Sequence, residues 1–213
     1  MYDWVTHTWN TIKGECPHLC SYCYMHRWGK QHPVRFDEKE LKTDLGSGNF
    51  IFVGSSCDMF AYGIPDEWIV NTLEYCLKFD NTYLFQTKNP ARLIQFMELL
   101  PDKTKVCTTI ETNRWYPDIM MNSPHPKDRA AEMEVLSVDG FETYITIEPI
   151  MDFNINLLME MILLCSPKQV NIGADSGTNN LPEPPKEKIL KLISGLERFT
   201  VVKQKSNLKR LLK

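Results

Sequence analysis

Along the chain, short apolar or β-branched runs alternate with longer stretches whose apolar residues recur at helical spacing. The short runs predict strands at Trp4–Ile12, Phe50–Gly54, Thr82–Thr87, Lys105–Thr112, Thr143–Glu148, Gln169–Gly173 and Phe199–Lys203. The stretches between them predict helices at Asp66–Lys78, Pro90–Leu99, Pro126–Ser137, Ile155–Cys165 and Pro184–Leu196. Asn89-Pro90 supplies a cap followed by a proline with a helical φ, and Pro65-Asp66-Glu67 places two acids in a first turn. Strands that alternate with helices imply βαβ units with right-handed crossovers. Six such units make an α/β fold, a partial TIM-like (β/α)6 barrel with parallel strands. No repeat, low-complexity tract or linker interrupts the pattern, so residues 1–213 are expected to form a single domain with a basic tail at 203–213.

Composition narrows the picture. The chain is 43% hydrophobic and 24% charged, with a formal net charge of −3, so it can bury a core and carries no global basicity. No apolar run reaches the roughly 20 residues of a membrane span. The cysteine count is seven, an odd number, and the N-terminal Met-Tyr-Asp-Trp-Val is neither basic nor apolar enough for a secretory signal. These features predict a reduced, cytoplasmic protein with no membrane association.

Chemistry enters at Cys16-Pro-His-Leu-Cys20-Ser-Tyr-Cys23, a C-x3-C-x2-C string with an aromatic residue before its last cysteine. Three thiolates on one loop can hold three irons of a [4Fe–4S] cube and leave the fourth open to a small molecule. The competing reading is structural zinc, which needs a fourth ligand such as His18 or His26. Zinc sites usually draw on two ligand pairs apart in sequence, and the chain has no second C-x2-C. Cys76, Cys107 and Cys165 lack ligand spacing.

The string, with Tyr22 in the aromatic slot, resembles the signature of the radical S-adenosylmethionine (SAM) superfamily. Two branches are similar in more detail. Cys-Pro-His-x-Cys-x-Tyr-Cys-Tyr and the Thr87-Lys88 strand end look like the branch of spore photoproduct lyase and its DNA-repair relatives. Thr8-Trp9-Asn10-x-x-Lys13-Gly14, Thr87-Lys88-Asn89-Pro90 and Ile147-Glu148-Pro149 resemble a phage-borne, three-Cys-motif radical-SAM group over most of the chain.

The resemblance implies the partial barrel, a [4Fe–4S] cluster on Cys16, Cys20 and Cys23, SAM as cofactor, and an electron donor such as flavodoxin or ferredoxin. Sites of parallel α/β folds lie past the C-terminal ends of the strands. There, Gly54, Ser55, Ser56 and Asp58 stand where the SAM amino group is bound, although they depart from the family's Gly-Gly-Glu-like motif. Lys88 is suited to the SAM carboxylate and Thr109 and Glu111 to its ribose, with Glu148 a further ribose partner. Tyr22 and the backbone around Gly173 are suited to adenine. The lyase branch uses a cysteine near the end of its second strand as hydrogen donor; Cys57 lies near that place. Trp9 and Trp28 flank the cysteine loop and are expected to shield it from water.

The implied activity is reductive cleavage of SAM and hydrogen abstraction from a substrate, of lyase or transferase type. The non-catalytic alternative is a zinc- or iron–sulfur-binding module acting through a partner. The tail carries Lys203, Lys205, Lys209, Arg210 and Lys213 without an acid. It reads first as a solvated helix whose leucines pack on the barrel, and second as a phosphate-binding segment. With nothing after the barrel to roof it, the reading adds a nucleic-acid or protein partner covering the mouth.

Overall fold

The computed structural model describes residue 2 and residues 4–213. Its strands are β1 (His7–Trp9), β2 (Ile12–Lys13), β3 (Arg35–Phe36), β4 (Phe50–Val53), β5 (Thr82–Gln86), β6 (Thr104–Thr109), β7 (Glu142–Ile147), β8 (Gln169–Ile172) and β9 (Val201–Gln204). The helices are α1 (Asp66–Cys76), α2 (Pro90–Ile94), α3 (Pro117–Met120), α4 (Pro126–Val138), α5 (Ile155–Leu164) and α6 (Lys186–Leu196). Seven strands form one sheet in the order β1-β4-β5-β6-β7-β8-β9, and every neighbouring pair is parallel. Each strand therefore pairs with the next one in sequence in that sheet, as a partial barrel requires. The expected fold is present, with β9 as a seventh strand, while β2 and β3 form a separate antiparallel ribbon.

Alternate residues of each strand serve two different neighbourhoods. Val53, Phe85, Val106, Ile145 and Ile172 face the helices and join the main core with Leu73, Leu93, Met133, Leu158 and Leu192. Phe52, Leu84, Cys107 and Tyr144 face the opposite, concave side and form a second cluster with Tyr2, Trp4 and Val5. There Trp4 stacks on Tyr2 at 4.9 Å and on Tyr144 at 5.5 Å. This corrects the long first strand: Trp4 fills the barrel interior instead of extending β1, and the chain breaks again at Asn10-Thr11 before β2. The helix predicted over Pro90–Leu99 is two pieces, α2 and a 3-10 turn at Met97–Leu99. Strand β6 stops at Thr109, so Glu111 lies beyond it.

The tail folds back as a 3-10 turn, Ser206–Leu211, with Leu208 fully buried in the main core. Lys205 pairs with Glu148 and Arg210 with Glu183. Leu208 packs on the barrel as the first reading of the tail expects, but residues 203 and 204 belong to β9 and Ser206–Leu211 is a 3-10 turn instead of a regular helix. Two of the tail's cations are spent within the chain.

Candidate functional site

A cavity of about 820 Å3 opens at the C-terminal ends of the strands, within the size range of small-molecule sites. Cys16, Cys20, Cys23, Cys57, Tyr22 and Lys88 all border it.

The cysteine loop is shaped by local turns. Leu19 N donates to Cys16 O and Cys23 N to Cys20 O, both at 3.1 Å, and Leu19 takes φ 55° between them. α3 fixes the loop from outside, because Ser21 N donates to Ile119 O at 3.0 Å and Asn122 N to His18 O at 3.0 Å. Cys20 and Tyr22 pack beneath it against Met120 and Met151.

The loop is also tied to the strand ends. His18 is buried, and its Nε2 lies 2.8 Å from Asp58 Oδ2. The same oxygen accepts from Thr87 Oγ1 at 3.0 Å and Lys88 N at 2.8 Å, while Asp58 Oδ1 accepts from Phe60 N at 3.0 Å. Burial works against both charged forms, yet their hydrogen bond wins: His18 titrates above its ordinary value and Asp58 below. His18 is thus committed to Asp58, which leaves His26 as the fourth ligand a zinc site would need. Asp58 borders the cavity, but its carboxylate is already occupied.

Lys88 reaches over the cysteine loop. Its Nζ is 3.4 Å from Cys20 Sγ, 2.5 Å from the Tyr22 hydroxyl and 3.1 Å from Glu111 Oε1. Glu111 is fully buried, accepts from Tyr22, and is held by Arg129 Nη1 at 2.9 Å. Arg129, also fully buried on α4, further donates to Thr109 O at 2.6 Å and Pro124 O at 2.7 Å. Burial would raise the Glu111 carboxyl; Arg129 and then Lys88 reverse that and hold it at about 2. Burial would lower Lys88; the electrostatic influence of its neighbours Cys20, Tyr22 and Glu111 lifts it well above the usual lysine range. Lys88 is therefore a held cation aimed at the cavity wall. Glu111, expected beside Thr109 on a ribose, does not border the cavity and instead anchors Lys88 and Tyr22.

Gly54, Ser55, Ser56 and Thr109 border the cavity. Gly54 turns the chain with φ 74°, where a Cβ would come within 3.2 Å of Cys57 O. The Ser56 amide and both serine hydroxyls donate to Asn10 Oδ1. Glu148 lies on the far wall, held by Lys205 and by Asn207 Nδ2 at 2.8 Å. Gly173 makes room for it, since a Cβ there would meet Glu148 at 2.8 Å. Gly173 itself is not on the cavity wall; Ala174, Asp175 and Ser176 are. On the inner face, Thr146 Oγ1 and Asn171 Nδ2 are buried without a hydrogen-bond partner among the described residues.

Interaction with the Cys57 side chain lowers Cys16 to about 6, and interaction with Cys16 together with burial raises Cys57. No three His, Cys, Asp or Glu side chains among the described residues meet at a point that would hold one metal ion. The three loop cysteines border one cavity. Of the tryptophans expected to shield them, Trp9 is buried against Tyr75 and Trp28 is 61% exposed.

Sequence reasoning missed Arg129, the His18–Asp58 pair and the tail's hold on Glu148. Their signals are long-range pairings that no local spacing shows.

No family model and no curated protein matches the sequence. Solved structures do match the fold. A double mutant of spore photoproduct lyase with bound AdoMet and dinucleoside spore photoproduct superposes with a TM-score of 0.69 at 13% identity, covering 91% of this chain and 74% of that one. SuiB of Streptococcus suis bound to the precursor peptide SuiA gives 0.63 at 10% identity, covering 97% of this chain and 50% of that one. SuiB bound to S-adenosylmethionine gives 0.57 at 10% identity. The resemblance to radical SAM enzymes thus holds for the fold over nearly the whole chain.

Proposed function

We propose that this chain is a radical SAM enzyme. The observation that carries the reading is Lys88: a fully held cation beside Cys20, at the rim of a cavity bordered by three cysteines in C-x3-C-x2-C spacing. A [4Fe–4S] cluster and SAM would together supply one-electron cleavage of the sulfonium and a hydrogen-abstracting organic radical. Cys16, Cys20 and Cys23 would hold the cluster by three corners.

Lys88 would neutralise the SAM carboxylate beside the open corner, a task suited to a compact cation that cannot rotate away. Glu111, Arg129 and Tyr22 fix its position. Gly54, Ser55 and Ser56 form a small-residue wall where a ligand's amino group can approach backbone. Thr109, Thr146 and Glu148 offer polar atoms to a ribose, and the unpartnered Thr146 hydroxyl fits a polar ligand. The main chain at Ala174–Ser176 borders the place suited to adenine. Cys57 faces the same cavity and keeps the hydrogen-donor role that the lyase-like branch suggests. The lyase's dinucleoside complex supports a nucleic-acid substrate, with a flavodoxin- or ferredoxin-class electron donor.

Iron and sulfide analysis after anaerobic reconstitution tests the cluster. About four irons and four labile sulfides per chain are expected, and Cys16→Ala, Cys20→Ala or Cys23→Ala should remove the absorbance. Cys57→Ala should retain it. Stoichiometric zinc without sulfide would favour the non-catalytic module.

A further inference from the structure

From Cys16 to Phe36 the chain has no acidic residue, yet it carries Arg27, Lys30, Arg35, three histidines and the aromatics Tyr22, Tyr24, Trp28 and Phe36. In a chain of net charge −3 this is a local reversal of sign. The fold gathers the middle of that stretch in one place, because residues 24–31 border the cavity without a break.

The turn Tyr24–Trp28 leaves Trp28 61% and Tyr24 43% exposed, whereas tryptophan is usually well buried. The two rings meet edge to face at 5.8 Å. The Arg27 guanidinium lies 5.1 Å from the Trp28 ring and 5.7 Å from the Tyr24 ring, and its Nε donates to Tyr24 O at 3.1 Å. Among the described residues, no carboxylate lies within salt-bridge reach of Arg27 or Lys30. Of the four acids on the same cavity, Asp58, Glu148 and Asp175 are hydrogen-bonded within the chain, and Glu15 is exposed beside Cys16.

Unpaired cations interleaved with open aromatic faces suit a polyanion that also presents flat rings. A duplex keeps its bases stacked inside; a single strand offers phosphates and bases together, and cation–phosphate contact plus base stacking are the two terms of single-strand binding. An acidic protein surface would use the cations and leave Trp28 without a task. We infer that residues 24–30 form a binding rim for single-stranded nucleic acid, with Trp28 stacking an unpaired base and Arg27 and Lys30 meeting the flanking phosphates. The inference rests on the reading of the cavity as a radical-generating site, since a strand on this rim presents its next nucleotide to the cavity. It moves the polymer contact from the tail, whose Lys205 and Arg210 are already paired, to the segment after the cysteines.

The test is anisotropy of a labelled oligo-dT and of its duplex with the reconstituted protein, at about 50 and 200 mM salt. SAM cleavage is recorded on the same preparation, so loss of binding with cleavage intact overturns this inference and not the proposed activity. The single strand should bind more tightly than the duplex. Trp28→Ala should weaken it about tenfold, as expected for one lost stack, and Trp28→Phe should restore most of it. The Arg27→Ala/Lys30→Ala double variant should flatten the slope of log affinity against log salt by about 1.4, two contacts at about 0.7 each. Binding that is duplex-preferring, absent at about 50 mM salt, or indifferent to Trp28 while poly-L-glutamate competes equally would overturn the rim.

Discussion

The residue that most repays perturbation is Glu111, because two cations depend on it, Arg129 fully buried and Lys88 partly buried. Glu111→Gln would leave Arg129 and Lys88 facing a neutral amide, and losing one partner of a buried ion pair typically costs about 3–5 kcal/mol. Chemical denaturation of the cluster-free protein measures this. The charge also sets a pH dependence. The carboxyl sits at about 2 in the fold against an ordinary 4.5, so its stabilisation is complete above 4.5 and is lost as pH falls towards 2. That difference corresponds to stability on the order of 3 kcal/mol, and Glu111→Gln should flatten the acid limb of the stability curve over that window. An unchanged acid limb would mean the network is not charged as described. Lys88→Ala should instead act on ligand affinity, weakening SAM by about 1–3 kcal/mol in calorimetry. The cysteines and Lys88 were legible because spacing and strand-end position mark them. Arg129 was not, since a lone arginine in Pro-Lys-Asp-Arg-Ala-Ala reads as helix surface, and only the docking of α4 against the end of β6 buries it.

At the scale of elements, period and start signals placed every strand of the main sheet to within a few residues. They failed where tertiary packing overrides local pattern. Trp4 looks like the first residue of a strand but fills the barrel interior, and Ile110 to Thr112 continue the strand pattern while the backbone leaves the sheet. α3 is a single turn with too short a period to see, although it pins the cysteine loop. The tail is the element with the clearest consequence. Its Leu208 is fully buried, so Leu208→Ala should cost about 2–5 kcal/mol in denaturant unfolding. Gly173→Ala should push Glu148 off Lys205 and Asn207, since the new Cβ would lie 2.8 Å from the carboxylate. If both variants melt with the parent protein, the tail is an appendage and not part of the barrel wall.

The whole molecule combines two scales of order. The open parallel sheet gathers every strand end around one rim, so residues as distant as Cys20, Lys88 and Glu148 face a common cavity. The chain's acidic balance masks a basic, aromatic segment on that rim, which composition averaged over 213 residues does not reveal. The measurement that tests the central claim most directly is 5′-deoxyadenosine formation from SAM by the anaerobically reconstituted, dithionite-reduced protein. The account predicts 5′-deoxyadenosine and methionine from the parent chain even without substrate, none from Cys20→Ala, and a reduced yield at limiting SAM from Lys88→Ala. Protein that carries a full complement of iron and sulfide yet leaves SAM intact after reduction would contradict it.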